Sequence, residues 1–418
     1  MVKRLLACCA AVLLAIVGAG AVTDTMTGIF DEHFRTLQTS VNGDVLSYPV
    51  IMLGSNDRLT VSFDELAEDN SYLRYRVVHC NANWQPSQLV ESEVVDGFNF
   101  GNVDAWSYSR ATTVHYVHYQ ITLPNADMNF LVSGNYLLQV YNEDDPDEPV
   151  LQVRFMISEQ TAIVDADVLS VTDIDYNRNH QQVSVTVDTT NARVENPFND
   201  LIVYVSQNGR WDNEVALAQP LRVSGKTAFY EHLRPLIFKA GNEYRRFENV
   251  STTYLGRNVL ALDYHDPYYH ATLLPDTSRA DDPYLYDSTQ HGRFVVREYN
   301  SDRSDIDADY IVTHFALEIP EIPGANIFID GDMVGRRFGP ESMMIYNRAS
   351  GRYEKNLLLK QGAYNYQYLV VGPGDRSGAT APIEGDFYQT ANEYLVKVYT
   401  RHRGERYDRL IGYTVIRF

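Results

Sequence analysis

Apolar residues along most of the chain recur at every second position, with polar residues between them. Leu59, Val61 and Phe63 alternate with polar neighbours; so do Leu151, Val153, Phe155 and Ile157, and again Val183, Val185 and Val187. A period of two puts one set of side chains on one face, so each segment predicts a strand with one buried face. Near the C-terminus, Tyr394, Val396 and Val398 share one face, and Leu395, Lys397 and Tyr399 share the other. A charged turn through Arg403-Gly404-Glu405-Arg406 then leads into a second strand, which predicts a hairpin. Thirty tyrosines and few Ala-Leu-Glu-Lys runs favour sheet over helix. The predicted class is all-β.

A recurring turn sets the expected number of units. Ser133-Gly134-Asn135-Tyr136, Ala240-Gly241-Asn242-Glu243-Tyr244 and Gln361-Gly362-Ala363-Tyr364 each enter a strand. Immunoglobulin-like sandwiches enter a late strand this way, with Gly making the bend and Tyr covering the corner. Gly134 to Gly241 is 107 residues and Gly241 to Gly362 is 121, close to one sandwich of ~100 residues per turn. The pattern predicts three consecutive immunoglobulin-like or early-set β-sandwich domains. They are residues 22–160, residues 161–303 with a long Tyr-rich connection, and residues 304–418. Polar breaks at Ser158-Glu159-Gln160, Asp281-Asp282-Pro283 and Ser301-Asp302-Arg303-Ser304-Asp305 mark the boundaries.

The first residues carry an export pattern. Lys3 and Arg4 precede an apolar run over residues 5–17 that is too short to span a bilayer, and Ala19-Gly20-Ala21 fits a small-x-small cleavage site. Residues 1–21 are therefore expected to be a cleaved signal peptide, with Val22 as the mature N-terminus. Cleavage removes Cys8 and Cys9 and leaves Cys80, so the exported chain forms no internal disulfide and relies on its cores. Without Lys3 and Arg4, 33 of the 35 basic residues remain against 55 acidic ones, a net charge of −22. That charge repels nucleic acid and anionic lipid. No later stretch is long and apolar enough for a transmembrane helix.

The chemistry-bearing residues form no catalytic set. Gly-x-Ser-x-Gly elbows, phosphate loops and His-Glu-x-x-His are absent. His79 and Cys80 are adjacent on a strand, point to opposite faces and make no nucleophilic dyad. His115 and His118, three apart on a strand, also diverge. Asp330-Gly331-Asp332 follows an apolar strand and predicts a hairpin turn. No catalytic, cofactor-binding or metal-binding residues are expected. The stripe Tyr364, Tyr366, Tyr368 offers either a sugar-binding platform or the buried face of a sheet. The segment 264–290 is long, irregular and rich in Tyr, Pro and Asp. Within it Tyr264, Tyr268, Tyr269, Tyr284 and Tyr286 are candidate partner-contact residues, because tyrosine joins an apolar body to a hydrogen-bonding tip. Equally, they could cement the junction between the second and third domains. Phe418 ends an alternating segment as in outer-membrane barrels, but charges break most strands on both faces, which favours sandwiches.

Three blocks of sequence carry a family resemblance. The first runs Arg76-Val77-Val78-His79-Cys80-Asn81-Ala82-Asn83-Trp84-Gln85-Pro86-Ser87, then Val95-Asp96-Gly97-Phe98, His118-Tyr119 and Leu123-Pro124-Asn125. The second holds Asp263-Tyr264, Pro267-Tyr268-Tyr269, Leu274-Pro275-Asp276 and Gly292-Arg293-Phe294-Val295-Val296. The third is the terminal stretch from Gly385-Asp386-Phe387-Tyr388 to Gly412-Tyr413. In this order they resemble the plug proteins of the bacterial type IX secretion system, which are periplasmic proteins of Bacteroidetes. The resemblance implies a non-enzymatic periplasmic subunit without cofactors, associated with the outer-membrane translocon. Its role would be to close the periplasmic end of the translocon barrel, its partner that barrel, and its state otherwise monomeric. The residues themselves leave open a periplasmic carbohydrate-binding or adhesin-like protein.

Overall fold

The computed structural model describes residues 25–418, and the expected signal peptide lies outside the described residues. The described chain is almost entirely strands and is organised around three hydrophobic cores, each enclosed by two sheets. The all-β expectation holds, with sandwiches and no closed barrel.

In the first sandwich, one sheet runs Phe34–Val41, Leu59–Glu65, Val117–Leu123, Ala105–Tyr108. The facing sheet is centred on Gly134–Asn142, between Leu73–Cys80 and Asp145–Ser158. Leu59, Val61 and Phe63 meet Tyr136, Leu138, Val153 and Phe155 between them, as the alternation predicts. Tyr136 closes the corner by donating its hydroxyl hydrogen to the Val132 carbonyl at 2.6 Å. Tyr364 makes the same four-residue return to the Lys360 carbonyl in the third sandwich.

The second sandwich departs from the expected boundaries. One sheet holds Ile163–Leu169, His180–Asp188, Thr227–Tyr230 and Arg222–Ser224, with Ile237–Lys239 pairing His180–Asp188. The other holds Val215–Leu217 and Leu201–Gln207, and is completed by Glu393–Thr400 and Arg409–Arg417 from the C-terminus. Tyr394, Val396, Val398 and Ile411 enter the core of Val183, Val185, Val203 and Val205. The C-terminal hairpin thus belongs to the second sandwich rather than to a unit spanning 304–418, and the third sandwich is inserted between Ile237–Lys239 and Glu393–Thr400.

The third sandwich explains the miscount of turns. Arg245–Glu248, which follows the Gly241 turn, pairs antiparallel with Gly362–Val371, which follows the Gly362 turn. Two of the three Gly-x-Tyr turns therefore feed one sheet. Tyr244 forms no corner, and its hydroxyl instead donates to Asp330 at 3.2 Å. The second sheet runs Val259–His265, Tyr268–Leu273, Tyr310–Leu317, Arg352–Lys360, Ile345–Asn347. Tyr364, Tyr366 and Tyr368 are core residues at 1%, 3% and 0% exposure, so the stripe is a buried sheet face and offers no platform. Asp330-Gly331 makes no hairpin. Asn326–Asp330 pairs with Gly362–Val371, and Gly331 leads into the 3₁₀ turn Asp332–Val334. A Cβ on Gly331 would lie 2.8 Å from the Asn365 carbonyl oxygen, so the bare backbone permits this close crossing.

Candidate contact surface

The five candidate tyrosines divide between two places. Tyr264, Tyr268 and Tyr269 lie on a regular hairpin, Val259–His265 with Tyr268–Leu273, where an irregular segment was expected. The register sets Tyr264 opposite Tyr269 and His265 opposite Tyr268, so adjacent Tyr268 and Tyr269 face opposite sides of the sheet. Tyr264 is 50% exposed, packs on Tyr269 with ring centroids 5.0 Å apart, and donates to Asp266 Oδ1 at 3.2 Å. Tyr269 leans on the third core and is half-buried, as is Tyr268.

Tyr284 and Tyr286 lie further along, in the coil between Tyr268–Leu273 and Phe294–Val296. Tyr284 is a fastening. Its hydroxyl lies 2.7 Å from Glu243 Oε1 and 3.1 Å from the Gln389 carbonyl, and its ring meets Phe387. Burial, then the Glu243 carboxylate, raises the hydroxyl pKa, so it remains a donor. Tyr286 is exposed beside Leu285, the most exposed large apolar residue of the coil at 81%. The acidic residues divide the same way. Asp263, Asp266, Asp281 and Asp282 are exposed. Asp276 is internal; it pairs with Arg245 at 2.8 Å and accepts from Tyr366 and Tyr368 at 2.7 and 2.8 Å. Arg245 and Arg279 converge on fully buried Glu384 at 3.0 and 2.5 Å, and Arg279 thereby ties the coil to the sandwich. Burial alone would raise the Glu384 pKa, but the two guanidinium groups outweigh it and hold the carboxylate ionised.

Two exposed aromatic groups on the first sandwich went unnoticed in the sequence. Trp106 and Tyr108 stand together on the fully exposed edge strand Ala105–Tyr108, with ring centroids 5.2 Å apart. Phe98 and Phe100 pair at 5.6 Å in the loop beside it in sequence. The available signal was Gly97-Phe98-Asn99-Phe100-Gly101, where glycines flank apolar residues that have no strand to bury them.

Between the first and third sandwiches lies a buried charge network. Lys360 Nζ is 2.6 Å from Asp64 Oδ2, His118 Nδ1 is 2.6 Å from Asp64 Oδ1, and Tyr310 donates to Asp64 Oδ2 at 2.6 Å. Tyr310 also meets Thr36, and the Lys360 ammonium stands 4.1 Å over the Tyr116 ring. Burial alone would raise the Asp64 pKa, but Lys360 and His118 outweigh it and hold it below the usual value. His115 instead meets exposed Glu68 and shares nothing with His118. The first and second sandwiches meet through Val50, Cys80, Trp84, Leu137 and Met156 against Leu395, Tyr399 and Leu410. Cys80 is buried in this seam. His79 lies apart from it, bonded through Nδ1 to Ser87 and through Nε2 to the Ser133 carbonyl, so the pair makes no dyad. Burial lowers the His79 pKa to about 4, which leaves the ring neutral. Among the described residues no three His, Cys, Asp or Glu side chains form a metal-ligand group, and no helix is long and apolar enough to cross a membrane.

Built this way, the described chain is an almost all-strand set of interlocked sandwiches with exposed aromatic pairs at Trp106–Tyr108 and Phe98–Phe100. Residues 34–159 match the family profile described as type 9 secretion system plug protein 1st domain. The crystal structure of a hypothetical protein from Parabacteroides merdae is similar at 42% identity, covering 94% of this chain and 99% of that one, with a TM-score of 0.93. A structure of Salmonella alpha-2-macroglobulin reacted with methylamine aligns at 8% identity over 94% of this chain and 23% of that one, and its TM-score of 0.18 carries no argument. No curated protein matches the chain. The chain belongs to the type IX secretion system plug protein family.

Proposed function

We propose that the protein is a non-enzymatic periplasmic subunit that closes the periplasmic end of the outer-membrane type IX translocon barrel. The observation that carries this reading is the plug-domain match over residues 34–159, which coincides with the first sandwich. The packing suits the role. A plug must fill a wide opening without deforming, and here buried ion pairs and apolar seams join the sandwiches. It must also release, and the net acidic surface with a few small exposed aromatic pairs would make a contact that is mostly polar. The internal position of Tyr364, Tyr366 and Tyr368 weighs against a sugar-binding module.

Affinity purification of the tagged protein from envelope extracts in mild detergent tests the proposal. Recovery of a very large barrel protein is the expected result, and its consistent absence from captures of folded, abundant protein counts against the role. Tyr264→Ser with Tyr286→Ser then tests the surface. Both residues are exposed, so the melting curve should hold while barrel capture weakens. Unchanged capture moves the contact elsewhere, with Trp106, Tyr108, Phe98 and Phe100 next to be replaced.

A further inference from the structure

The outer face of the third sandwich carries three histidines in a row. His265 and His270 come from the two strands of the tyrosine hairpin, and His314 from the parallel neighbour Tyr310–Leu317. The His265 and His270 ring centroids are 5.1 Å apart, as are those of His270 and His314. His270 Nδ1 stands 2.8 Å from His314 Nε2. The other nitrogen of His314, Nδ1, stands 2.8 Å from Asn356 Oδ1 on the next strand. A side-chain carbonyl oxygen only accepts, so His314 Nδ1 carries the hydrogen and Nε2 of the neutral ring is a bare lone pair aimed at His270. His314 and Asn356 border an open groove with Thr272, Ile345 and Glu354, and His270 beside them is partly exposed.

Such a pair is a single imidazole–imidazole hydrogen bond when no ion is bound. It also meets the requirements for chelation. Two nitrogens bound to one tetrahedral ion at about 2.0–2.1 Å each sit roughly 3.3 Å apart. Side-chain rotations that tilt the two rings until their lone pairs converge open the separation by about half an ångström, and the hydrogen that His270 Nδ1 shares with His314 moves to His270 Nε2 through solvent, which frees Nδ1 as a ligand. The Asn356 carbonyl already fixes the tautomer and ring direction that a ligand histidine needs.

We propose that His270 and His314 form a surface site for a borderline divalent transition-metal ion, Zn²⁺ or Cu²⁺, with two imidazole nitrogens and water as ligands and Asn356 as the positioning residue. The ion would clip the tyrosine hairpin to Tyr310–Leu317 and so fix the strand pair that carries Tyr264. Neutral nitrogen ligands select against Ca²⁺ and Mg²⁺, which take oxygen, and favour Cu²⁺ over Zn²⁺.

The test uses the full mature chain stripped with a chelator and titrated with ZnCl₂ in a calorimeter, then loaded with one equivalent of Cu²⁺ for electron paramagnetic resonance. One Zn²⁺ per chain is expected, with affinity reduced about tenfold or more in His270→Ala, His314→Ala and Asn356→Ala, and unchanged in His115→Ala. The Cu²⁺ spectrum is expected to show splitting from two imidazole nitrogens. That readout needs no variant, so it stands even where a substitution disturbs folding. Equal Zn²⁺ affinity in wild type and His314→Ala, loss of binding in His115→Ala instead, or a spectrum with fewer than two nitrogens overturns the assignment.

Discussion

At the scale of single residues, burial decides behaviour that composition leaves open. Cys80 is fully buried, and burial, partly opposed by Arg154, pushes its thiol up to about 12. It is therefore a thiol at neutral pH and closed to reagents. Iodoacetamide is expected to label it only after denaturation, with mass spectrometry as the check, and rapid labelling of the native chain would contradict the seam. Asp64 shows the opposite case. Removing one partner of a buried, hydrogen-bonded pair leaves the other charge stranded, so Asp64→Ala should cost about 3–5 kcal/mol by denaturant unfolding. The pH dependence has a definite sign. The Asp64 pKa is depressed in the folded chain, so its contribution is present above the unfolded value of about 3.8 and lost as pH falls through the folded one. Melting temperature should drop on acidification below about pH 4, and drop less in Asp64→Asn. The partner Lys360 was not legible in the sequence, because 296 residues separate the two.

At the scale of elements, period-two alternation located the strands through Leu59, Leu151, Val183 and Tyr394, and the Tyr-rich, β-branched composition announced their class. It could not show how many faces a strand buries. Leu395, Lys397 and Tyr399 look like the outer face of a hairpin, yet all three are buried. Leu395 and Tyr399 pack against the first sandwich, while Lys397 pairs with Glu214. A strand buried on both sides needs a neighbour that its own residues do not encode. Tyr399 measures that contact, since its hydroxyl donates to Asn135 Oδ1 of the first sandwich at 2.6 Å. Tyr399→Phe keeps the ring and leaves a buried acceptor unpaired, so a loss of about 1–3 kcal/mol is expected by chemical denaturation. A neutral substitution would mean that water reaches the seam. The candidate site was legible only in part. Tyrosine density singled out the segment, but which of its hydroxyls face inward depends on partners such as Glu243, which lies 41 residues from Tyr284.

At the scale of the whole molecule, the three turn signals equal the three cores in number but do not map one to each, and they carry no connectivity. Gly-x-Tyr turns mark where a strand begins, while membership of a sandwich is set by pairing between residues such as Val203 and Val398. Consecutive units and an inserted unit therefore read alike in sequence, and truncation distinguishes them. A chain ended after residue 303 would retain two complete sandwiches if the units were consecutive. With the observed pairing it strips Glu393–Thr400 from Leu201–Gln207, removes Tyr394, Val396, Val398 and Ile411 from the second core, and leaves a long apolar edge open. That chain should bind a hydrophobic dye, lose near-ultraviolet circular dichroism from the second sandwich and aggregate. Replacing residues 240–390 with a short Gly-Ser linker should instead restore a cooperative melt, because every residue of the second core is then present. If the chain ended at 303 melts as cooperatively as this deletion, the C-terminal hairpin is dispensable to the second sandwich and the inserted topology is wrong.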